Sequence, residues 1–290
     1  MRNSSEIVPS GHATPLVVND LVKTYGSHAV VNGISFSVDR GEVFGLLGPN
    51  GAGKTTTVEI LTGMRSASAG TVQVLGVDPA TADRAWRDRV GVVFQDGTDH
   101  GDWRVGELVA QFARGYSKPL EPLDVLEAVS LADCVRTRVD RLSGGQRRRL
   151  DVALGIVGRP DVLFLDEPTT GLDPEARRSL WELIQRLAQR GTTILLTTHY
   201  LDEASHLADR LCVLKAGEVL EISTPAELGR RHAAAVISWR GAGGPESVRT
   251  DDAAVTLKQL ESKLGGPLPD LQIHRPSLED RYLAVIGEDR

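Results

Sequence analysis

A glycine-rich segment in the first quarter of the chain has the spacing of a phosphate-binding loop. Residues 48–55 read Gly-Pro-Asn-Gly-Ala-Gly-Lys-Thr and match G-x-x-x-x-G-K-[ST] in full. Glycines let the backbone curl so that its N–H groups point at phosphate oxygens, and a helix starting near Lys54 adds its positive end. Lys54 would reach the β- and γ-phosphates, and the Thr55 hydroxyl would ligate Mg²⁺. The spacing therefore predicts a phosphate site whose backbone comes from Gly48, Asn50, Gly51 and Gly53.

Two adjacent carboxylates follow a strand-sized apolar run. Asp166 and Glu167 come directly after Val162–Leu165, at the end of a strand where open α/β sheets bind ligands. Successive strand side chains point to opposite faces, so the two acids should have different tasks. Asp166 fits a ligand of Mg²⁺, directly or through water. Glu167 fits a base that orients and activates the attacking water, which predicts hydrolysis at the phosphate site.

A third segment, Leu142-Ser143-Gly144-Gly145-Gln146, resembles the signature sequence of the ATP-binding-cassette (ABC) proteins. It lies between the phosphate loop and the carboxylate pair, as it does in that family. Further positions in family order resemble the adenine-stacking aromatic, the Q-loop glutamine, the D-loop aspartate and the switch histidine; these are Tyr25, Gln95, Asp173 and His199. The resemblance covers residues 16–228.

The resemblance implies ATP and Mg²⁺ as ligands, and a head-to-tail dimer with two ATP molecules at its interface. One copy would hold each nucleotide through Lys54, Thr55, Thr56 and Glu167, and the other would close over the γ-phosphate through Ser143, Gly145 and Gln146. The sequence leaves open whether two identical copies pair or this chain pairs with a related cassette.

The single residues of the resemblance have separate implied roles. Gln95 would be a hinge and a ligand for Mg²⁺ and water, and His199 would contact the γ-phosphate and help to position the water. Asp173 would link the two sites across the interface. Tyr25 would stack on adenine, with core packing as the alternative. For the basic run Arg147–Arg149, a solvated or ion-paired face is the favoured interpretation.

The composition of the chain bears on its cellular location and on whether it binds nucleic acid. The 290 residues are 41% apolar and carry 39 acidic against 33 basic side chains. This balance does not favour wrapping nucleic acid, which requires a basic excess. No run approaches the roughly 20 apolar residues of a spanning helix, and the N-terminus lacks the apolar core of a secretory signal. We expect a cytoplasmic protein, peripheral on the inner face of the cell membrane, that acts through a separate permease.

Two sequence features favour one branch of the family. The run 146–153 and the ending 276–283 look like those of bacterial drug-resistance exporters of the daunorubicin type, whose ATPase and permease are separate chains. The alternatives are a soluble cassette ATPase acting on ribosomes or DNA and a GTPase, although the Asn-Lys-x-Asp guanine motif does not occur in the sequence. After Gln95, residues 96–103 are more acidic and glycine-rich than is usual in the family, and Trp103 fits either an anchor for the permease or core packing.

The pattern of the whole chain predicts the elements that position these residues. Strand-like and helix-like segments alternate, which predicts an α/β fold of the P-loop NTPase type with a mostly parallel sheet and an N-terminal antiparallel part. Residues 1–14 read as a disordered lead-in, 15–228 as the ATPase domain with an inserted helical subdomain at about 96–159, and 229–290 as a small α+β extension. Asp173 is predicted to cap a helix that ends at Gly191, Thr192–Thr197 reads as a β-branched strand, and Leu201–Leu211 reads as a second amphipathic helix. In the extension, Gly241–Asp252 reads as a loop or linker. A helix near Ala253–Leu264 follows, and another starts at Ser277, where Ser277 and Asp280 resemble a capping box.

Overall fold

The computed structural model describes residues 14–95, 100–230, 235–241, 243–250, 252–274 and 276–287. The chain forms two compact units, Met1–Val219 and Leu220–Arg290. The expected lead-in lies outside the described residues except for its last position, and so do residues 96–99 of the acidic segment after Gln95.

The central sheet has six strands, Val43–Leu47 (β3), Val90–Val93 (β5), Val162–Asp166 (β6), Thr193–Thr198 (β7), Arg210–Lys215 (β8) and Glu218–Ser223 (β9). Their spatial order is β5-β6-β7-β3-β8-β9, and the pairs from β5 to β8 are parallel. Strands β3, β6 and β7 are buried along their whole length. Burial on both faces explains why β3 and Val162–Leu165 of β6 are almost entirely apolar, and the parallel pairing confirms the predicted sheet.

The N-terminal antiparallel part is a second sheet of three strands, Leu16–Tyr25 (β1), His28–Val38 (β2) and Ala69–Val74 (β4). Its order is β2-β1-β4, and both pairs are antiparallel. Alternate residues such as Leu16, Val18 and Val38 are buried, so this sheet packs one face on the core as an antiparallel sheet can.

The helices of the first unit are Lys54–Leu61 (α1), Arg84–Arg87 (α2), Val105–Ala113 (α3), Pro122–Ala128 (α4), Gly144–Ile156 (α5), Pro174–Gln189 (α6) and Leu201–Leu207 (α7). Helix α6 begins as the sequence predicts, because the Asp173 carboxylate accepts the N–H groups of Glu175 and Ala176 at 3.0 and 2.9 Å. Among the described residues, no helix is both long and apolar enough to cross a membrane.

Helix α7 is shorter than the predicted Leu201–Leu211. Its last turn ends at Leu207, because Ala208 has extended backbone angles. Asp209 then joins β3: its N–H donates to the Val43 carbonyl at 2.8 Å, and its carboxylate accepts the Val43 N–H at 2.9 Å. The apolar residues from Leu211 onward therefore belong to strand β8, and not to the helix.

The second unit contains a three-stranded antiparallel sheet and two helices. The strands are Ala235–Gly241 (β10), Gly244–Thr250 (β11) and Gln272–His274 (β12), and the helices are Ala253–Leu264 (α8) and Leu278–Ile286 (α9). The linker predicted at Gly241–Asp252 is wrong, because β11 pairs with β10 along its whole length. Most of its polar residues are exposed, so the strand lacks the apolar alternation that would have identified it. The capping box of Ser277 and Asp280 is confirmed.

Candidate active site

The glycine-rich loop connects the end of β3 to the start of α1. Gly53, with φ of 96°, is the residue before the helix, and a Cβ there would lie 2.6 Å from the Val30 carbonyl oxygen. A Cβ on Gly48 would lie 2.3 Å from the Leu214 carbonyl oxygen. Glycine is therefore required at both ends of the loop. Asn50 and Gly51 are exposed at its tip, and Thr56 is half-buried on α1.

Lys54 lies within the loop that precedes it. Its ammonium group donates to the carbonyl oxygens of Gly48 at 2.7 Å and Pro49 at 3.2 Å, and the residue is 5% exposed. Burial lowers the pKa of Lys54, and the charges of Glu167 and Asp166 oppose that effect. A cation held by neutral carbonyls can exchange them for phosphate oxygens, which form stronger charge-assisted bonds.

Asp166 ends β6 and is 1% exposed. Its Oδ1 accepts hydrogen bonds from the hydroxyl of Thr197, on the neighbouring strand β7, and from the Thr55 hydroxyl at 3.4 Å. Burial raises the pKa of Asp166 and the charge of Glu167 adds to that effect, whereas the two hydroxyl donors and Lys54 oppose it. The loop and the carboxylate strand thus meet at one oxygen atom, although they are more than 100 residues apart.

Glu167 follows Asp166 in a left-handed backbone conformation, with φ of 47°. Its N–H donates to the Thr197 hydroxyl at 3.0 Å, so one buried hydroxyl contacts both acids. The two carboxylate oxygens have different partners: Oε1 lies 3.1 Å from Nδ1 of His199, and Oε2 accepts the Thr170 hydroxyl at 3.3 Å. The carboxylate is held in one orientation at the end of the sheet and is 8% exposed.

The donor set around Asp166 fits Mg²⁺. A carboxylate and a hydroxyl provide hard oxygen ligands, and Mg²⁺ in nucleotide sites is usually bound by one or two carboxylates together with phosphates and water. Within the described residues, no group of three His, Cys, Asp or Glu side chains could hold a metal by itself. One carboxylate and one hydroxyl suit a Mg²⁺ ion that is also bound by phosphates and water. Gln95, the other expected ligand, is exposed at the end of β5.

The Ser143–Gln146 segment begins helix α5 with a capping box. The Ser143 hydroxyl accepts the Gln146 N–H at 3.2 Å, and the Gln146 side-chain oxygen accepts the Ser143 N–H at 3.0 Å. Ser143 and Gly144 are exposed at this helix start, and Gly145 is half-buried. The signature segment is therefore an exposed helix start that is capped by its own side chains.

Tyr25, at the end of β1, is 43% exposed, which disagrees with the core-packing alternative. The Lys23 ammonium and the Arg65 guanidinium lie 5.3 and 5.4 Å from the centroid of its ring.

Trp103 is 42% exposed and likewise lies outside the core. Asp173 caps α6 and is exposed, so its carboxylate is anchored to its own helix.

Sequence reasoning missed two residues of this site. Thr197 was read only as part of a β-branched strand; its contact with both acids depends on the register of β6 and β7, which places Asp166 opposite Thr197. For Arg148, the solvated alternative is wrong because the residue is 6% exposed, whereas the ion-paired alternative is confirmed by Asp151, whose carboxylate lies 3.9 Å away. The available signal was its helical spacing from Val152 and Ile156, which are also buried.

Comparisons with known proteins agree on one family. A sequence profile described as ABC transporter matches residues 31–170. The chain is 38% identical to the Nod factor export ATP-binding protein I of Burkholderia orbicola, over 95% of this chain and 98% of that protein. It is 46% identical to the protein of the same description from Ralstonia nicotianae, over 79% of this chain and 73% of the relative.

Solved structures with the same fold include an ATP-binding subunit of an ABC transporter, with a TM-score of 0.69 and 26% identity over 75% of this chain and 93% of that one. The ADP conformation of another ABC transporter cassette matches with a TM-score of 0.65 and 25% identity, over 73% and 92% of the two chains. A bacterial ABC transporter cassette described as dimeric has the same fold, with a TM-score of 0.65 and 24% identity over 72% and 98%.

Proposed function

This chain belongs to the ABC transporter ATP-binding family and is an ATPase of that family, and from this we propose that it energises an exporter through a separate membrane permease. The observation that carries the proposal is the similarity to export ATP-binding proteins along nearly the whole of both chains. Relatives of the same description match over most of their length in several other organisms.

Within this proposal, the loop amides and Lys54 bind the phosphates of ATP, and Thr55 with Asp166 holds Mg²⁺. The cation, when bound, would neutralise charge on the phosphate oxygens as a Lewis acid. Support comes from the contact of the Thr55 hydroxyl with Asp166 and from the place of Lys54 within its own loop. Gln95, at the end of β5, completes the ligands for metal and water.

Glu167 is the proposed base that orients the attacking water and accepts its proton, and His199 is its partner. The 3.1 Å contact between Nδ1 of His199 and Oε1 of Glu167 leaves the second oxygen to Thr170, so the carboxylate cannot rotate without breaking a hydrogen bond. A base fixed in this way contributes through positioning as well as through proton transfer.

The signature residues are proposed to act on a second copy or a paired cassette. Ser143 and Gly145, with Gln146 as the helix cap, would close over the γ-phosphate bound by the partner, since a helix start with free N–H groups attracts anions. Asp173 would lie between the two sites, and Tyr25 would stack on adenine with its exposed ring. The related fold of a dimeric cassette supports this arrangement.

The proposed location is the cytoplasmic face of the cell membrane, where the chain associates with its permease. The proposed cargo is an amphipathic compound such as a drug, with antibiotic resistance as a consequence. The support is the resemblance of residues 146–153 and 276–283 to drug exporters, together with relatives whose names include export.

The test is reconstitution with the membrane protein encoded in the neighbouring reading frame. Both proteins would be co-expressed, purified and placed in lipid vesicles, and ATP-driven movement of a fluorescent amphipathic cation would be measured. We expect a stable complex whose transport is lost in Glu167→Gln, with assembly unchanged. Co-sedimentation with ribosomes or DNA, and no association with the membrane protein, would instead favour a soluble ATPase.

A further inference from the structure

Arg148 lies in the second turn of α5, two residues after the signature glutamine, and its side chain extends into the protein. Its guanidinium group donates to backbone carbonyls at the ends of two strands of the central sheet. Nε donates to Pro168 at 2.9 Å, Nη2 donates to Asp166 at 2.7 Å and Glu167 at 3.0 Å, and Nη1 donates to Phe94 with a longer contact to Gln95 at 3.5 Å.

The shortest contacts of Arg148 are with backbone carbonyls and not with a carboxylate. Its ion pair with Asp151 spans 3.9 Å, which is longer than a hydrogen bond. Burial lowers the pKa of Arg148, and the charges of Asp151, Asp166, Glu203 and Glu167 oppose that effect. An arginine stays charged in proteins and offers five N–H donors in a planar fork. Here the fork matches a set of carbonyl oxygens that no lysine could satisfy with the same geometry.

The two carbonyls bound by Nη2 lie on either side of the Glu167 α-carbon. When one nitrogen binds both, they must point in the same direction, as they do in a helical conformation of either hand. Glu167 has φ of 47°, a left-handed conformation that is unfavourable for a residue with a side chain. Arg148 therefore stabilises the backbone conformation that sets where the Glu167 carboxylate points.

The same side chain also reaches the Q-loop. Phe94 and Gln95 directly follow β5, and β5 pairs with β6 in parallel, so one guanidinium links the segments after both strands to helix α5. Helix α5 starts at Ser143, the residue proposed to contact the ATP of a second copy. A rigid connection therefore runs from the signature segment to the Glu167 backbone of the same chain.

We propose that Arg148 is a positioning residue for ATP hydrolysis, which holds the Glu167 backbone and the Q-loop in register with the signature helix. This inference rests on the proposed roles of Glu167 and the signature segment. It predicts that loss of the guanidinium fork lowers the rate of the chemical step. ATP binding should stay intact, because among the described residues no contact of Arg148 reaches the phosphate loop.

The experiment compares Arg148→Lys with Arg147→Lys, the same change one residue earlier on the same helix. Arg147 is half-buried and donates to the Val139 carbonyl at 3.1 Å, away from the carboxylate strand. For Arg148→Lys we expect kcat to fall to about one tenth of the value of the unchanged protein, or below it, since small displacements of a catalytic group have effects of this size. KM and ATP affinity should stay within about 2-fold of the unchanged protein. Arg147→Lys should turn over ATP normally.

A double variant tests whether Arg148 acts through Glu167. In Arg148→Lys/Glu167→Gln, turnover should be no lower than in Glu167→Gln alone, because the group that Arg148 positions is already lost. If the double variant turns over ATP more slowly than Glu167→Gln by the same factor that Arg148→Lys causes alone, the proposal is overturned. If Glu167→Gln itself turns over ATP normally, the proposed base is wrong; if only Arg148→Lys is normal, the base assignment stands and the positioning role fails.

A second substitution separates positioning from folding. Arg148→Met removes the buried charge together with the fork, so it leaves no unpaired cation in the core. We expect it to unfold cooperatively, bind ATP and show the same kcat defect as Arg148→Lys. If both variants lose ATP binding in parallel with turnover, Arg148 has a structural role only, and the proposal is overturned.

Discussion

Nδ1 of His199 lies 3.1 Å from Oε1 of Glu167, although the two residues are 32 positions apart in the chain. Each follows the last residue of a buried parallel strand, β6 for Glu167 and β7 for His199, and these strands are neighbours in the sheet. The contact therefore follows from strand order, because two adjacent strands place a carboxylate and an imidazole at the same edge of the sheet.

This contact predicts the effect of removing the imidazole. In His199→Ala, Glu167 loses the partner of one oxygen and can rotate, so we expect turnover about 10²-fold lower with ATP binding retained. His206→Ala is the matched control. His206 lies in the last turn of α7 and its ring stacks on that of Trp181 in α6, away from Glu167. Steady-state turnover and an ATP titration of both variants check this. Equal losses in the two variants would contradict a specific role for His199.

The position of Lys54 predicts a defect in binding. Lys54→Ala removes the buried ammonium of the loop, and because a charge-assisted hydrogen bond contributes about 1.5–3 kcal/mol, ATP affinity should fall roughly 10- to 100-fold. Lys258→Ala, on the exposed side of α8, is the control and should bind normally. Calorimetric titration with ATP measures both. Unchanged affinity in Lys54→Ala would refute the assignment of the loop.

The hydroxyl of Thr197 predicts a dependence on Mg²⁺. Thr197→Val keeps the shape of the buried side chain but removes the donor to Asp166 and an acceptor of the Glu167 N–H. We expect the Mg²⁺ concentration for half-maximal turnover to rise about 10-fold, as for other losses of a group that orients a metal ligand. Thr193→Val is the control on the same strand, where the hydroxyl accepts the Gly41 N–H at 3.1 Å. A normal Mg²⁺ dependence in Thr197→Val would contradict the proposed ligand.

The two cysteines should differ in reactivity. Burial raises the pKa of the Cys212 thiol to about 12, whereas an exposed cysteine has a pKa of about 8.5. Below about pH 8.5, the Cys212 thiol stays protonated in both the folded and the unfolded chain. As the pH rises from about 8.5 to 12, the unfolded chain loses it first, so this thiol lowers the free energy of unfolding by up to about 1.4 kcal/mol per pH unit.

A colorimetric count of thiols at pH 8 therefore should find one reactive group in the folded protein and two in denaturant. We expect the reactive thiol to be Cys134, because it is half-buried whereas Cys212 is fully buried, and neither is in a disulfide. Cys134→Ser should leave no reactive thiol in the folded state. Rapid modification of Cys212 in that variant would show that its surroundings open readily.

Local motifs made the loop, the carboxylate pair and the capped start of α6 predictable, since each depends on residues close together in sequence. Contacts that depend on strand register were not predictable in the same way. Thr197 lies beside Asp166 only because β6 and β7 pair at that register, and Arg148 is buried only because the ends of β5 and β6 offer carbonyls to its fork. Strand β11 was not predicted because its glycine, its proline and its mostly exposed polar residues resemble a linker.

We propose that ATP binds between the loop of one copy and the signature segment of another, and that Glu167 is needed only for hydrolysis. Sedimentation of Glu167→Gln with Mg·ATP tests this arrangement, with turnover measured on the same sample. We predict turnover reduced roughly 10²-fold or more, a dimer with Mg·ATP and a monomer without nucleotide. In Glu167→Gln/Ser143→Arg, the dimer should not form. A Glu167→Gln protein that binds Mg·ATP at saturation and remains a monomer would contradict the account.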